Sequence, residues 1–464
     1  MKNKIKRYFC CTLFLFFFFT PLQAKTIGVL KDVKKLNWEG IEVVWLEDNR
    51  LPLYDMTVYF GDGSLSDENV KGETEKMFSL LGRGTSKHSY KEIAEQFEFW
   101  GFSGGPSVFH EYSSYNFAGL LKDMKETITF MCHIFKEASF PEEELKRSIK
   151  MARLGFQSLI SDPSSLASRA FREASMKGTP FAYPTGGKLK DLDDISREGL
   201  KKKLHYFNSK VKKRIYISGP KEILSIKDII VKNCGWSGKQ DYKRKVVYSG
   251  KKFNSKKPEF ILVTVPKANQ AQIRLGRYLN FSEIQGNNEV LNFMSSILGG
   301  GFTSILNREV RIKRGLTYSI GAFAAGQKYY GRSGIISSTR NEKVLEMIKV
   351  IRSSLGMMMN KSFSKEQYQT TKNFLIGSHP FQFEKVTSFI SQMVFLDHVG
   401  KDYSEFYRFT EKISKINERD IALSAKNIFD WQKQTVLILG HKSLEKTLQK
   451  ISKNLRVFSY KEFL

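Results

Sequence analysis

Ile297-Leu298-Gly299-Gly300-Gly301 echoes Leu80-Leu81-Gly82-Arg83-Gly84, 217 residues earlier in the chain. Ser362-Phe363-Ser364-Lys365-Glu366 echoes Ser139-Phe140-Pro141-Glu142-Glu143, 223 residues earlier. Two matches at nearly one offset mark an internal duplication, and a duplication decides the fold before any single element does. An amphipathic helix stands ahead of each second match. Met124, Ile128, Met131 and Phe135 recur at helical spacing in one copy, and Val344, Met347, Ile348, Ile351, Leu355 and Met358 in the other. Each copy opens on strand-like segments, 41–45 and 53–60 in the first, 260–265 and 272–279 in the second. Strands and helices without strict alternation predict an α+β fold of two homologous α/β-sandwich domains rather than a doubly wound sheet. The join is expected at 238–257, a lysine-rich stretch poor in apolar residues that reads as a basic linker, leaving domains at 25–237 and 258–464.

The 464 residues are too many for one compact core. A hydrophobic fraction of 41% against 26% charged excludes a disordered chain and a polytopic membrane protein. Lys2, Lys4, Lys6 and Arg7, the apolar run from Tyr8 to Thr20, and Pro21-Leu22-Gln23-Ala24 have the form of a secretory signal over residues 1–24. As a helix that run is shorter than a hydrocarbon core, and no later segment reaches 18 uninterrupted apolar residues, so no stable membrane span is expected. A periplasmic or secreted location follows. Removing the signal lowers the net charge from +28 to +24 and leaves Cys132 and Cys234, which can form one disulfide at most.

The chemistry-bearing residues mostly rule things out. No two of the seven histidines lie within five residues, so no helix offers two imidazoles one turn apart to a zinc ion. His110-Glu111 begins such a motif, but Ser114 stands where the second histidine is needed. No Gly-x-Ser-x-Gly is present, and neither Gly-Lys-Ser/Thr nor Gly-x-Gly-x-x-Gly follows Gly299-Gly300-Gly301. Three glycines do let another backbone come close, as a tight turn or as a wall against a bound peptide. The densest polar run is Asn307 to Tyr318. There a helix end capped by Gly315 is expected to lead into a strand starting near Leu316, with Arg311 in the last turn and Tyr318 at the strand's start. A guanidinium and a phenol converging there can hold a carbonyl oxygen, and a solvated basic helix end is the plainer alternative.

The run from Ile297 through Arg311 to Gly315-Leu316-Thr317-Tyr318-Ser319 resembles the second-domain signature of the insulinase/pitrilysin family of metallopeptidases, the inverzincins. In the first half Gly61-Asp62-Gly63-Ser64, Tyr90-Lys91-Glu92-Ile93-Ala94 and Phe140-Pro141-Glu142-Glu143-Glu144-Leu145 follow the family's first domain in order. The likeness covers nearly the whole chain after the signal. The family's His-x-x-Glu-His helix ends just before a Gly-Thr, and Gly84-Thr85 sets the register here. Glu75 and Ser79 then stand for the two histidines and Phe78 for the general-base glutamate, and 147–160 holds no acidic residue for the third ligand. Without ligands or base the chain cannot make a metal-bound hydroxide.

The resemblance implies half of a four-domain clamshell: a zinc-less subunit of a periplasmic heterodimeric metallopeptidase, no enzyme by itself and part of one in the complex. It implies no cofactor in this chain, with zinc expected in a homologous partner subunit bearing His-x-x-Glu-His. It assigns Arg311 and Tyr318 an assisting catalytic role in trans, and Gly299, Gly300, Gly301 and Phe302 a part in holding an extended peptide substrate, added as a strand to a sheet edge. The alternative is a non-catalytic peptide-binding or scaffold protein acting alone or as a homodimer. Nucleic acid is not an expected partner, because the lysines are spread along the chain and no nucleic-acid module is present.

Overall fold

A computed structural model describes residues 33–236 and 257–464. The expected signal, 1–24, and all of the expected linker except Lys257 lie outside the described residues. The first half contributes six strands, β1 (Val33–Trp38), β2 (Ile41–Glu47), β3 (Leu53–Phe60), β4 (Ser103–Val108), β5 (Ser113–Leu120) and β6 (Lys213–Gly219). They lie in the order β1-β2-β6-β3-β5-β4. The second half contributes β7 (Glu259–Thr264), β8 (Gln270–Asn280), β9 (Ile320–Gly326), β10 (Tyr330–Arg340), β11 (Thr435–Gly440) and β12 (Arg456–Ser459), ordered β12-β7-β11-β8-β10-β9.

Five strands correspond one to one. The β2–β6 and β7–β11 pairs are both parallel, and the remaining shared pairs are all antiparallel. The sixth breaks the symmetry: β1 precedes β2 and pairs antiparallel, while β12 comes from the chain's other end and lies parallel to β7. This is the α+β duplication expected from the sequence.

Why the central strands are apolar on both faces follows from a helix exchange. Along β11, Val436 and Ile438 join the second half's own core, while Leu437 and Leu439 face the opposite way. There they meet Leu166, Ala167, Ala170 and Phe171 from the helix Pro163–Ser175 of the first half. In β2, Val43 and Trp45 face the first half's core. Val44 and Leu46 meet Phe389, Ile390, Met393 and Val394 from Val386–Val399 of the second half. Each half thus lends a helix to the other's sheet, and the two helices begin at corresponding points of the repeat. Such reciprocal burial fixes one sheet against the other.

Polar contacts close the same interface. Asp397, on the lent helix, accepts from Tyr216 Oη at 2.8 Å and pairs with Arg214 at 3.1 Å. Cys132, on the helix Met124–Glu137, and Cys234, beyond Lys227–Asn233, are joined as a disulfide. No described helix is long and apolar enough to cross a membrane.

Candidate functional site

The glycine run ends the helix Asn288–Gly299. A Cβ on Gly299 would meet the Ala322 amide nitrogen at 2.4 Å, so the backbone that comes close at this position is the chain's own edge strand, β9. Nothing lies within 4 Å of a Cβ built on Gly301. The turn beyond is pinned by buried amides. Asn307 Nδ2 donates to the carbonyls of Gly301 at 2.9 Å and Ile320 at 3.3 Å, tying the turn to the start of β9. Gln367 Nε2, from the helix Lys365–Ser378, donates to the Thr303 carbonyl at 2.8 Å.

Asn307–Ile312 forms a π-helical turn, in which the Lys313 amide reaches the Arg308 carbonyl at 2.9 Å, one residue beyond the α-helical partner. Gly315, at φ +58°, ends it with its amide on the Arg311 carbonyl. The following strand starts at Ile320 and not near Leu316 as expected. Leu316 is drawn into the core, and the Thr317 hydroxyl accepts from the Ser319 amide and donates to the Ser319 carbonyl. That local turn consumes the residues that would have begun the strand. Tyr318 therefore sits on the turn, outside the strand, and is 86% exposed.

Arg311 and Tyr318 are brought together. The Arg311 guanidinium carbon lies 4.9 Å from the Tyr318 ring centroid and 4.9 Å from that of Phe302, itself 73% exposed. Stacking occupies the guanidinium faces and uses none of its five N–H donors. The neighbouring cations are spent on the buried Glu309, which accepts from Lys313 at 2.8 Å and Arg314 at 3.0 Å. Burial opposes ionisation of Glu309, but Lys313 and Arg314 outweigh it and hold the carboxyl below its usual range. Among the described residues no carboxylate lies within ion-pair distance of Arg311.

The helix Glu73–Leu80 carries the positions where the family's ligands would stand. Phe78 is 2% exposed and packs between Phe60 and Phe207, at 5.2 and 5.1 Å, so it belongs to the core. Glu75 and Ser79 are both exposed, one turn apart. Glu75 accepts from the Thr185 hydroxyl, and Ser79 donates to its own helix at Lys76. A carboxylate and a hydroxyl with no imidazole do not fit zinc. Among the described residues no three His, Cys, Asp or Glu gather to hold a metal. Distant histidines do find partners: His88 and His133 meet edge-on at 5.3 Å, and His398 Nε2 lies 3.0 Å from Glu111 Oε2. His110 Nε2 is 2.8 Å from the Tyr183 carbonyl, and burial pushes its pKa down to about 4.

The duplicated sandwich thus presents a half-buried Arg311 beside an exposed Tyr318 in one half and, in the other, a helix whose Glu75, Phe78 and Ser79 do not suit zinc. A family model described as the peptidase M16 inactive domain matches residues 195–375. A Bacillus subtilis protein named as an uncharacterized zinc protease, YmxG, is 22% identical, over 76% of this chain and 85% of its own. A Helicobacter pylori protein named as a non-peptidase homolog, YmxG, is 22% identical over 89% of this chain and 95% of its own. A crystal structure of a peptidase M16 inactive domain from Pseudomonas fluorescens shares the fold, with a TM-score of 0.78 and 19% identity, over 88% of this chain and 98% of that one. Residues 195–375 are thus similar to the M16 inactive domain, and the whole described chain shares its fold with that solved structure.

The sequence suggested that Arg311 and Tyr318 converge, as they do, whereas Phe302 was expected only beside the glycine run and its contact with Arg311 is new. Asn307, Gln367 and Glu309, which hold that cluster in place, were missed. A lone acidic residue, Glu309, amid Arg308, Lys313 and Arg314 is the sequence signal that could have found the last of them.

Proposed function

We propose that the chain is the zinc-less subunit of an exported heterodimeric metallopeptidase, and that Arg311 and Tyr318 act on substrate bound at a zinc site of a His-x-x-Glu-His partner. The observation that carries this reading is the Arg311 guanidinium lying over two exposed aromatic rings, with no carboxylate within ion-pair distance among the described residues. The partner's metal supplies the activated water. Arg311 N–H groups and the Tyr318 hydroxyl donate to the scissile carbonyl oxygen as negative charge builds on it. Stacking on Phe302 keeps the guanidinium from collapsing onto other acceptors, so its donors are already aimed when the substrate arrives. The edge strands β4 and β9 offer unpaired backbone to which an extended peptide adds. A buried disulfide is what an oxidising, extracytoplasmic compartment favours, in line with the signal-like leader.

Mixing the chain with a His-x-x-Glu-His homologue and following peptide cleavage tests this. Arg311→Ala or Tyr318→Phe is expected to lower kcat of the complex by about 10²–10³, the usual cost of one lost oxyanion donor. Unchanged cleavage with both variants would refute the assigned roles. A second reading, a non-catalytic peptide-binding protein, is favoured by the Helicobacter pylori relative being named a non-peptidase homolog. It predicts no cleavage in any such mixture.

A further inference from the structure

We propose that the cavity between the two halves is a binding site for an organic carboxylate with an apolar body, the chemistry presented by the C-terminal residue of a peptide. The cavity encloses about 700 Å³, within the ~300–1,000 Å³ typical of small-molecule sites. It lies at the far end of β9 from Tyr318 and is distinct from the Arg311 cluster.

Its charges do not balance. Arg169, Arg172 and Arg332 all line it, and Glu111 is the one carboxylate among the lining residues. Glu111 is already engaged, with Oε2 3.0 Å from His398 Nε2 and Oε1 accepting from the Tyr329 amide at 3.3 Å. Arg169 is spent on carbonyls, donating to Phe463 at 2.5 Å and Gly187 at 2.8 Å. That leaves Arg172 and Arg332, from different halves of the chain, side by side. Arg172 is close enough to Tyr330 for its charge to favour the ionised phenol, and Arg332 lies over the Phe323 ring at 5.8 Å. Among the described residues neither has a carboxylate within ion-pair distance.

Two like charges facing one cavity are costly unless an anion completes them. Their strain is visible at Arg332: burial, and then repulsion from Arg172, lower its pKa to about 10, which still leaves it charged at neutral pH. Guanidinium forks match the planar geometry of a carboxylate. The remaining walls include Phe109, Pro184, Phe323 and Phe395, more apolar surface than a bare inorganic anion can use. Together they select an anionic group on a hydrophobic body. The inference stands apart from the Arg311–Tyr318 reading, and neither fails with the other.

The test is calorimetric titration of the full chain, without any partner, using N-acetyl-phenylalanine, its C-terminal amide and inorganic phosphate. The acid is expected to bind saturably at one site, with the amide and phosphate each at least about tenfold weaker, the usual worth of a charge-assisted pair. Arg172→Gln and Arg332→Gln are each expected to weaken the acid about tenfold, and Arg332→Lys less. Equal affinity for acid and amide would overturn the proposal on the unmodified chain, whatever the folding of the variants. So would equal affinity for phosphate, or no saturable binding of the acid.

Discussion

Replacing Gly299 with alanine puts a methyl group 2.4 Å from the Ala322 amide nitrogen and 2.8 Å from the Ala322 side chain. Both atoms belong to β9, so no flexible side chain can swing away, and helix and strand must separate. Overpacking of this kind costs ~1–3 kcal/mol. Alanine in a helix returns ~1 kcal/mol of propensity, leaving a net loss of roughly 0–2 kcal/mol. Gly301→Ala meets nothing within 4 Å, and Gly301 is not among the positive-φ glycines. That variant should be neutral or stabilised by ~0.4–1 kcal/mol through its unfolded state. Urea unfolding followed by far-UV circular dichroism separates the two, with a difference of about 2 kcal/mol expected between the variants. Moving β9 also displaces the turn that bears Tyr318. A misplacement near 1 Å can cost ~10²-fold in rate, so cleavage by the reconstituted complex should fall in Gly299→Ala and persist in Gly301→Ala. A Gly299→Ala protein as stable as the parent, with Gly301→Ala destabilised, would refute the packing argument for the glycine run.

The other expectations are read the same way. The unfolded His110 binds a proton below its ordinary pKa near 6.5, whereas the folded one, depressed by burial, does so below about 4. Stability from this group is therefore full above pH 6.5 and lost as the pH falls toward 4, by ~3 kcal/mol in total; urea midpoints across that window should flatten in His110→Gln. The Cys132–Cys234 disulfide closes a loop of 102 residues, so reduction should cost up to about 4.7 kcal/mol, seen as a lowered unfolding midpoint with reductant and none in Cys132→Ala/Cys234→Ala. Leu166, fully buried against the other half's sheet, should lose ~2–5 kcal/mol on truncation to alanine. Because that helix belongs to the first half's chain but packs on the second half's sheet, tryptophan fluorescence and circular dichroism should report one shared transition.

Much of the fold was legible because the repeat is local pattern copied twice. The strands around 41–45 and 260–265 and the helices led by Met124 and Val344 show apolar spacing that one copy corroborates in the other. The helix exchange was not legible. Leu437 and Leu439 announce a second buried face, but nothing in the neighbouring sequence says that Leu166 and Phe171, more than 260 residues away, cover it. The strand start near Ile320 was misplaced because a single hydroxyl, Thr317, wins the backbone of Ser319 from the ladder. The Arg172–Arg332 pair had no local signal, since the two residues meet only when the halves close.

The central claim is that this polypeptide activates no water and contributes donors to a neighbour that does. The most direct measurement is metal analysis and peptide hydrolysis of the pure chain, before and after adding a His-x-x-Glu-His homologue. The account predicts no stoichiometric zinc and no hydrolysis from the chain alone, with chelator-sensitive cleavage emerging in the mixture. Stoichiometric zinc and chelator-sensitive hydrolysis from the chain by itself would contradict it.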